Sequence, residues 1–446
     1  MTALADDLSR LLGAENVIAG DGPGAQAYLG DATESRGLHG AAEAIALPTS
    51  PAQVVALVAY AYAQDVPLTP RGAGTGFSGG AVPAGGIVIA TERLTGVPRV
   101  DLDGWAIDTP AAATTAALRE RAAQHGLHYP PDPGSQEVSL IGGNIATNAG
   151  GPHTFKYGVT GRWVETLDVV LAPGELVTLG APVAKDVSSY DLRSLLIGSE
   201  GTLGIICGAR LRLIPRPECR RPVLAAYPDT VTGVAAIHAV LASGIVPAAL
   251  EYLDARATED GRFTVLAEAD GSSAAAAEQA AILTEAMAPG ALTLRAPTEA
   301  AEIAALWRWR DGVSLTVTAR RGGKVSEDIV ISPAHLTEAI ETIAEIGARH
   351  DLPACSWGHA ADGNLHATFL IDRTDAEEID RAEAAASELF DYALSLGGSL
   401  TGEHGIGTVK RAAVARALSP AVIALNAAVK ATLDPKGLLN PGVKLP

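Results

Sequence analysis

The chain has 446 residues, 48% hydrophobic and 19% charged: ample material for a folded core, and too long for one core of ordinary size, so two domains are expected. Its 33 Lys and Arg against 51 Asp and Glu leave a net charge of −18, which argues against nucleic acid, because phosphate binding needs clustered cations. The three cysteines, Cys207, Cys219 and Cys355, form no CxxC pair, so neither a disulfide framework nor a cysteine zinc site is indicated.

The opening segment MTALADDLSRLLGAENV is amphipathic, without a basic leader or an apolar h-region, and no apolar run reaches about 18 residues. The expectation is a cytoplasmic protein without a membrane span, peripheral to a membrane at most. Ala44 to Pro48 is predicted as a short strand. Ser50 and Pro51 then open a helix as N-cap and first helical residue. VPLTPR runs into GAGTGFSGG, and Ile87 to Thr91 is again a strand. The GxGxxG at Gly74, Gly76 and Gly79 lacks the helix that a dinucleotide fingerprint needs, since Ala81 to Gly86 leads straight into a strand. What remains is a loop of backbone N–H groups with the Thr75 and Ser78 hydroxyls, an anion nest suited to a pyrophosphate. Similar glycine-rich stretches follow at Pro130 to Gly151 and Leu196 to Ile206, and together they suggest a long ligand with phosphates and a ring system. Ile214 to Pro222 reads as a linker. Beyond it, LAAYP, SEDIVIS, CSWGHA and LHATFL read as strands among Ala-rich helices such as Ser272 to Ala281.

The segment GHAADGNLH, Gly358 to His366, carries the sharpest chemistry. Asp362-Gly363 is a strong signal for a two-residue hairpin turn, which would pair His359 with His366 on one face. Adjacent imidazoles are half of a divalent-metal site, and Glu403 in TGEHGIG offers a carboxylate. Two His and one carboxylate suit a catalytic metal, zinc or manganese; a cross-strand His pair can also serve packing alone.

PRGAGTGFSGGAVP, DPGS…IGGNIATNAGG…KYGVT and GSEGTLGIICGARLRLIP resemble the flavin-binding half of the vanillyl-alcohol oxidase/PCMH superfamily. GHAADGNLH, TGEHGIGTVKR and DPKGLLNPG resemble the C-terminal half of its D-lactate dehydrogenase, glycolate oxidase and D-2-hydroxyglutarate dehydrogenase branch. The resemblance implies an α+β fold. A PCMH-type FAD-binding domain of two α+β subdomains would span residues 1–220. A substrate domain of antiparallel sheet and helices would span 221–400, with 401–446 packing back on the FAD domain. It implies an FAD with its pyrophosphate on Arg71, Gly72, Ala73, Gly74, Thr75 and Gly76, and with Ser78 and Gly79 close by. Pro133, Gly134, Ser135, Gly142, Asn144, Thr147, Asn148 and Gly151 would wrap the ring and ribityl region. Glu200, Gly201 and Ile206 would lie near the adenine end, and Asn440 would return to the flavin. The implied catalytic set is His404, Arg310, Ser314, Lys324 and Asn364, with His359, His366 and Glu403 on the metal. Arg310 stands in LWRWR, where the branch carries a substrate arginine, and its planar fork suits a carboxylate.

Ala111 and Ala361 replace glycines common in the family, and His153 lies where a covalent flavin anchor could sit, although the branch argues against one. The implied reaction is oxidation of a D-2-hydroxy acid to the 2-oxo acid, with His404 as base and electrons passed on to a quinone, an electron-transfer flavoprotein or a similar acceptor. A homodimer is one option. The alternatives are a non-redox flavin transferase of the alkyl-glycerone-phosphate synthase type and the FAD subunit of a glycolate oxidase complex.

Overall fold

The computed structural model describes residues 3–446. It divides into two compact units. The first holds the described residues up to Ala149, then Val159–Arg216 and Glu403–Pro446; the second holds Gly150–Gly158 and Pro217–Gly402.

The first unit contains two larger sheets, beside a two-stranded pairing of Leu127–His128 with Ile214–Pro215. In one, strands Ala44–Ala46 and Leu68–Arg71 flank Ile87–Ala90 in parallel, and Val17–Ala19 adds an antiparallel edge. Parallel strands need a crossover, supplied by helix Pro51–Gln64. The Ser50 hydroxyl accepts from Gln53 N at its start, and Asp65 ends it in the left-handed region. Val54, Leu57, Val58 and Ala61 of that helix bury against Ala44, Ile87 and Ile89. The other sheet is antiparallel, in the order Arg99–Asp101, Ala106–Pro110, Ile205–Arg212, Val164–Leu171 and Glu175–Gly180. The C-terminal segment is stitched to the first sheet, with Leu68 N donating to Leu438 O (2.8 Å) and Asn440 N to Leu68 O (2.7 Å).

The second unit is built on one seven-stranded sheet. Its strands are β1 (Cys219–Tyr227), β2 (Ala249–Leu253), β3 (Phe263–Gly271), β4 (Thr293–Arg295), β5 (Gly323–Val330), β6 (Ala354–His359) and β7 (Asn364–Ile371), in the spatial order β4-β1-β3-β2-β6-β7-β5. Every neighbouring pair is antiparallel. Helices Thr230–Ala242, Ser273–Met287 and Leu336–Arg349 cover one face: Gly233 packs on the Phe263 ring, the Tyr227 hydroxyl donates to Met287 O (2.6 Å), and Gly347 abuts Ala354. The segment read as a linker is mostly strand, since Cys219 to Pro222 pair with Gly271 to Glu268 in β1–β3. Pro222 is tolerated there because β4 pairs only with Leu224 to Ala226, so that stretch of β1 keeps a free edge.

The architecture is mixed α+β, with parallel and antiparallel strands in the first unit and one all-antiparallel sheet in the second. No helix among the described residues is long and apolar enough to cross a membrane.

Candidate functional site

Directly opposed residues in an antiparallel sheet share a face. In the second unit this rule gathers a set of polar residues onto the face opposite the three packing helices. Arg220 opposes Asp270, Glu268 opposes Ala249, Glu251 opposes His359, His359 opposes Asn364, and His366 opposes both Trp357 and Asp328. Lys324, four residues before Asp328 on β5, falls on the same face.

The hairpin differs in register from the sequence expectation. His359 pairs with Asn364, and His366 with Trp357. Four residues, Ala360 to Gly363, form the turn, and Asp362 Oδ1 accepts the Asn364 amide (3.3 Å), so Asp-Gly is not a two-residue type I′ turn. The shift is two residues, and an even shift keeps every side chain on its face. The imidazoles therefore still meet, with ring centroids 5.3 Å apart in a T-shaped arrangement.

Glu403, the third expected ligand, follows in the chain directly on Gly402, the last residue of the second unit. Gly402 is well anchored. Asp328 Oδ2 accepts from Gly402 N (2.9 Å) and from the Thr401 hydroxyl (2.8 Å). A β-carbon at Gly402 would come within 2.0 Å of Asn364 Nδ2, so this close approach requires glycine. Two imidazoles facing each other on one strand face, with a carboxylate as the third donor, are a set that fits a divalent cation.

A fully buried carboxylate that the sequence reading missed lies beside His359. Glu251 Oε1 is 2.7 Å from His359 Nδ1, and Oε2 accepts from Arg310 Nη2. Burial pushes the Glu251 carboxyl up, but Arg310 and His359 outweigh it and hold the group below its ordinary range. Arg310, on helix Ala300–Asp311, is thus paired with Glu251 across the sheet. Ser314, four residues on, accepts from the Lys324 ammonium, which also lies 5.4 Å from the Trp357 ring. Burial pulls Lys324 down to about 8. A second buried carboxylate, Glu268, gathers His153 Nε2 (3.2 Å), Arg220 Nε (2.5 Å) and Trp307 Nε1 (2.6 Å). His153 is therefore built into a polar cluster, and Trp307 has its indole N–H in the same one. Glu251, Glu268 and Asp328 had one visible signal: acids interrupting apolar strand sequence, in ALEYL, TVLAEAD and VSEDIV.

In the first unit, the residues expected at the flavin fall on loops beside the two sheets. Gly72, Ala73, Gly74, Thr75, Gly76, Ser78 and Gly79 follow the strand that ends at Arg71, and no helix follows them. Nε and Nη1 of the buried Arg71 have no hydrogen-bond partner among the described residues, while Nη2 donates to Ala27 O (2.7 Å). A buried guanidinium with two donors to offer, under a run of backbone amides, fits an anionic pyrophosphate. Pro133, Gly134 and Ser135 form a turn closed by Gln136 N to Pro133 O (2.8 Å). Gly142, Asn144 and Thr147 lie on helix Ile141–Thr147, and Asn148 ends it in the left-handed region. Ala111, where the family has glycine, is accommodated because Gly142 has no side chain: a β-carbon there would meet the Ala111 methyl at 2.8 Å.

Several of these side chains brace the loops themselves. Asn144 Nδ2 donates to Thr115 Oγ1 (2.6 Å), and Asn148 Oδ1 accepts from Gly161 N (2.8 Å). Glu200 accepts from Ile406 N (3.0 Å) and Gly407 N (2.6 Å), and Asn440 Nδ2 donates to the Gly80 and Glu200 carbonyls (2.8 and 2.7 Å). Gly407, at φ 54°, sits so close to the Ser78 carbonyl that a β-carbon would come within 1.9 Å. Gly201 packs beside Pro70, and Ile206 is buried on strand Ile205–Arg212. Gly151 belongs to the second unit, where its carbonyl accepts from Thr154 N (3.0 Å). His404 lies against the Phe77 ring, centroids 4.8 Å apart, with Nε2 3.9 Å from Glu403 Oε1.

Comparison with known proteins defines an FAD-dependent oxidoreductase. Residues 42–180 match the FAD binding domain family, and residues 216–443 match the FAD linked oxidases, C-terminal domain. The chain is 33% identical over 414 residues to the glycolate oxidase subunit GlcD of Bacillus subtilis, covering 90% of this chain and 88% of that protein. It is 34% identical over 468 residues to the D-2-hydroxyglutarate dehydrogenase of Stutzerimonas stutzeri, covering 99% and 98%. Its fold resembles p-cresol methylhydroxylase solved with substrate bound, at a TM-score of 0.82, 17% identity and coverage of 98% and 95%. The chain belongs to the FAD-linked oxidase family, in the branch that holds glycolate oxidase subunits, D-lactate dehydrogenases and D-2-hydroxyglutarate dehydrogenases.

Proposed function

We propose that this protein oxidises a D-2-hydroxy acid to the corresponding 2-oxo acid with the help of a divalent metal, zinc or manganese. The observation that carries the reading is the facing pair His359 and His366, with Arg310 close at hand through Glu251. FAD, held by the Arg71–Gly79 loop and the Pro133–Gly151 region, supplies a two-electron acceptor. A divalent ion held by His359, His366 and Glu403 supplies Lewis acidity at the substrate hydroxyl.

The remaining work falls to side chains of the chain itself. Arg310 orients the substrate carboxylate with its planar fork. His404 takes the hydroxyl proton as general base, and Asn364 helps to hold the substrate beside it. Lys324, half-buried and bonded to Ser314, offers a second cationic centre on the same sheet face, which favours a substrate with a second anionic group. The relative named a D-2-hydroxyglutarate dehydrogenase supports that choice. We place the reaction in the cytoplasm, with electrons leaving to a quinone or an electron-transfer flavoprotein.

The names of the glycolate oxidase subunits support a second reading, in which the chain is the flavin subunit of a larger complex. Turnover of the isolated chain with an artificial dye separates the two. For the chemistry itself the test is His404→Ala. Flavin reduction by substrate should fall by about 10²–10⁴-fold with FAD still bound. Near-normal reduction removes His404 from the mechanism.

A further inference from the structure

Glu251 differs from Glu268, its buried neighbour on the same sheet face. It is fully buried on β2, and its two oxygens serve two different parts of the proposed site. Oε1 meets His359 Nδ1 at 2.7 Å, and Oε2 meets Arg310 Nη2. Glu268, one strand over on the same face, is equally buried, but its partners His153, Arg220 and Trp307 include no candidate metal ligand. A carboxylate only accepts hydrogen bonds, so the shared proton sits on His359 Nδ1 and the lone pair is left on Nε2. That is the form of imidazole a metal requires. The same carboxylate fixes the fork of Arg310, because a buried guanidinium follows its bidentate or single-oxygen partner.

We propose that Glu251 is a positioning residue that couples metal loading to the orientation of the substrate carboxylate. It presents His359 to the metal through one oxygen and sets Arg310 through the other. The two halves of substrate recognition, hydroxyl and carboxylate, are then registered to one rigid strand. This rests on the metal-assisted reading above and adds a residue separated by 108 positions from the ligand it serves.

The test uses the FAD-loaded full chain. Affinity for Mn²⁺ and Zn²⁺ is measured by competition with a chelator in the wild type and in Glu251→Gln, with FAD content and melting temperature followed in parallel. An amide cannot accept from both partners and keep His359 Nδ1–H bonded as before. Metal affinity should therefore fall roughly 10–100-fold, the range found for partners of ligating histidines, while FAD content holds. At saturating metal, kcat should return toward the wild type while KM for the hydroxy acid stays raised, because Arg310 has lost its anchor. A lesion of stability alone would not split the two constants in this way. Where Glu251→Gln does not accumulate, Glu251→Asp carries the test, since the shorter carboxylate cannot span both partners. Wild-type metal affinity in a folded variant overturns the proposal. A raised KM with unchanged metal affinity also overturns it, by confining Glu251 to Arg310. A wild-type protein that binds neither ion overturns the metal reading itself, which is a separate result.

Discussion

The loops of the first unit and the sheet face of the second solve opposite problems. In the loops, Asn144, Asn148, Glu200 and Asn440 brace the chain, while Nε and Nη1 of Arg71 stay unbonded among the described residues, as the proposed cofactor site requires. On the sheet face the backbone is consumed by the ladder, and chemistry is carried by side chains that strand alternation brings together. A nucleotide with many polar atoms can be held by amides, which any residue supplies, provided glycine lets the chain come close. A metal and a small acid need particular side chains at particular places, each oriented by a buried partner.

That contrast is broken most directly at the metal ligands. His359→Ala should lose metal and substrate-driven flavin reduction together while FAD stays bound, with metal affinity falling beyond the roughly 100-fold seen for outer partners. Metal analysis and a single-turnover absorbance trace check it; retention of both activities would dismantle the sheet-face site.

A smaller effect sharpens the role of Lys324. Burial lowers its ammonium from 10.5 to about 8, so in the free protein it is charged below about pH 8 and neutral above. For a dicarboxylate hydroxy acid, kcat/KM should decline as pH rises through about 8, and Lys324→Met should abolish that limb. A substrate with one carboxylate should show no such decline. The stability sign is separate: between about 8 and 10.5 the unfolded chain binds more protons at this group, so its contribution to stability rises with pH.

The smallest expected effect lies in the first unit, at a helix start. Ser50→Ala removes the hydroxyl that caps helix Pro51–Gln64 and should cost about 1 kcal/mol, read by denaturant unfolding. Substrate KM should not move.

The same contrast explains what could be read from the sequence. The glycine-rich loops were legible because glycine is itself the signal. The Ser50-Pro51 helix start was legible because capping is local. The hairpin was found, but its register was two residues out, since Asp-Gly was read as the whole turn while Asp362 instead braces a four-residue loop. The His359–His366 pairing on one face survived only because the error was even. Glu251, Glu268 and Asp328 were invisible as a group. Their partners are distant in sequence, and only the spatial order β1-β3-β2-β6-β7-β5 brings the strands together. The Ile214–Pro222 stretch does hold the passage between the units, at Arg216–Pro217, but the strand that starts at Cys219 was hidden in it, because an unpaired strand edge tolerates proline and arginine.

The central claim is tested by an anaerobic absorbance titration of the FAD-loaded, metal-replete protein with D-lactate, L-lactate, D-2-hydroxyglutarate and glycolate. The expected result is bleaching of the yellow flavin by a D-acid, lost on chelation and restored by Mn²⁺ or Zn²⁺. Full bleaching that survives complete removal of metal, or a bound flavin that none of these acids reduces, would contradict it.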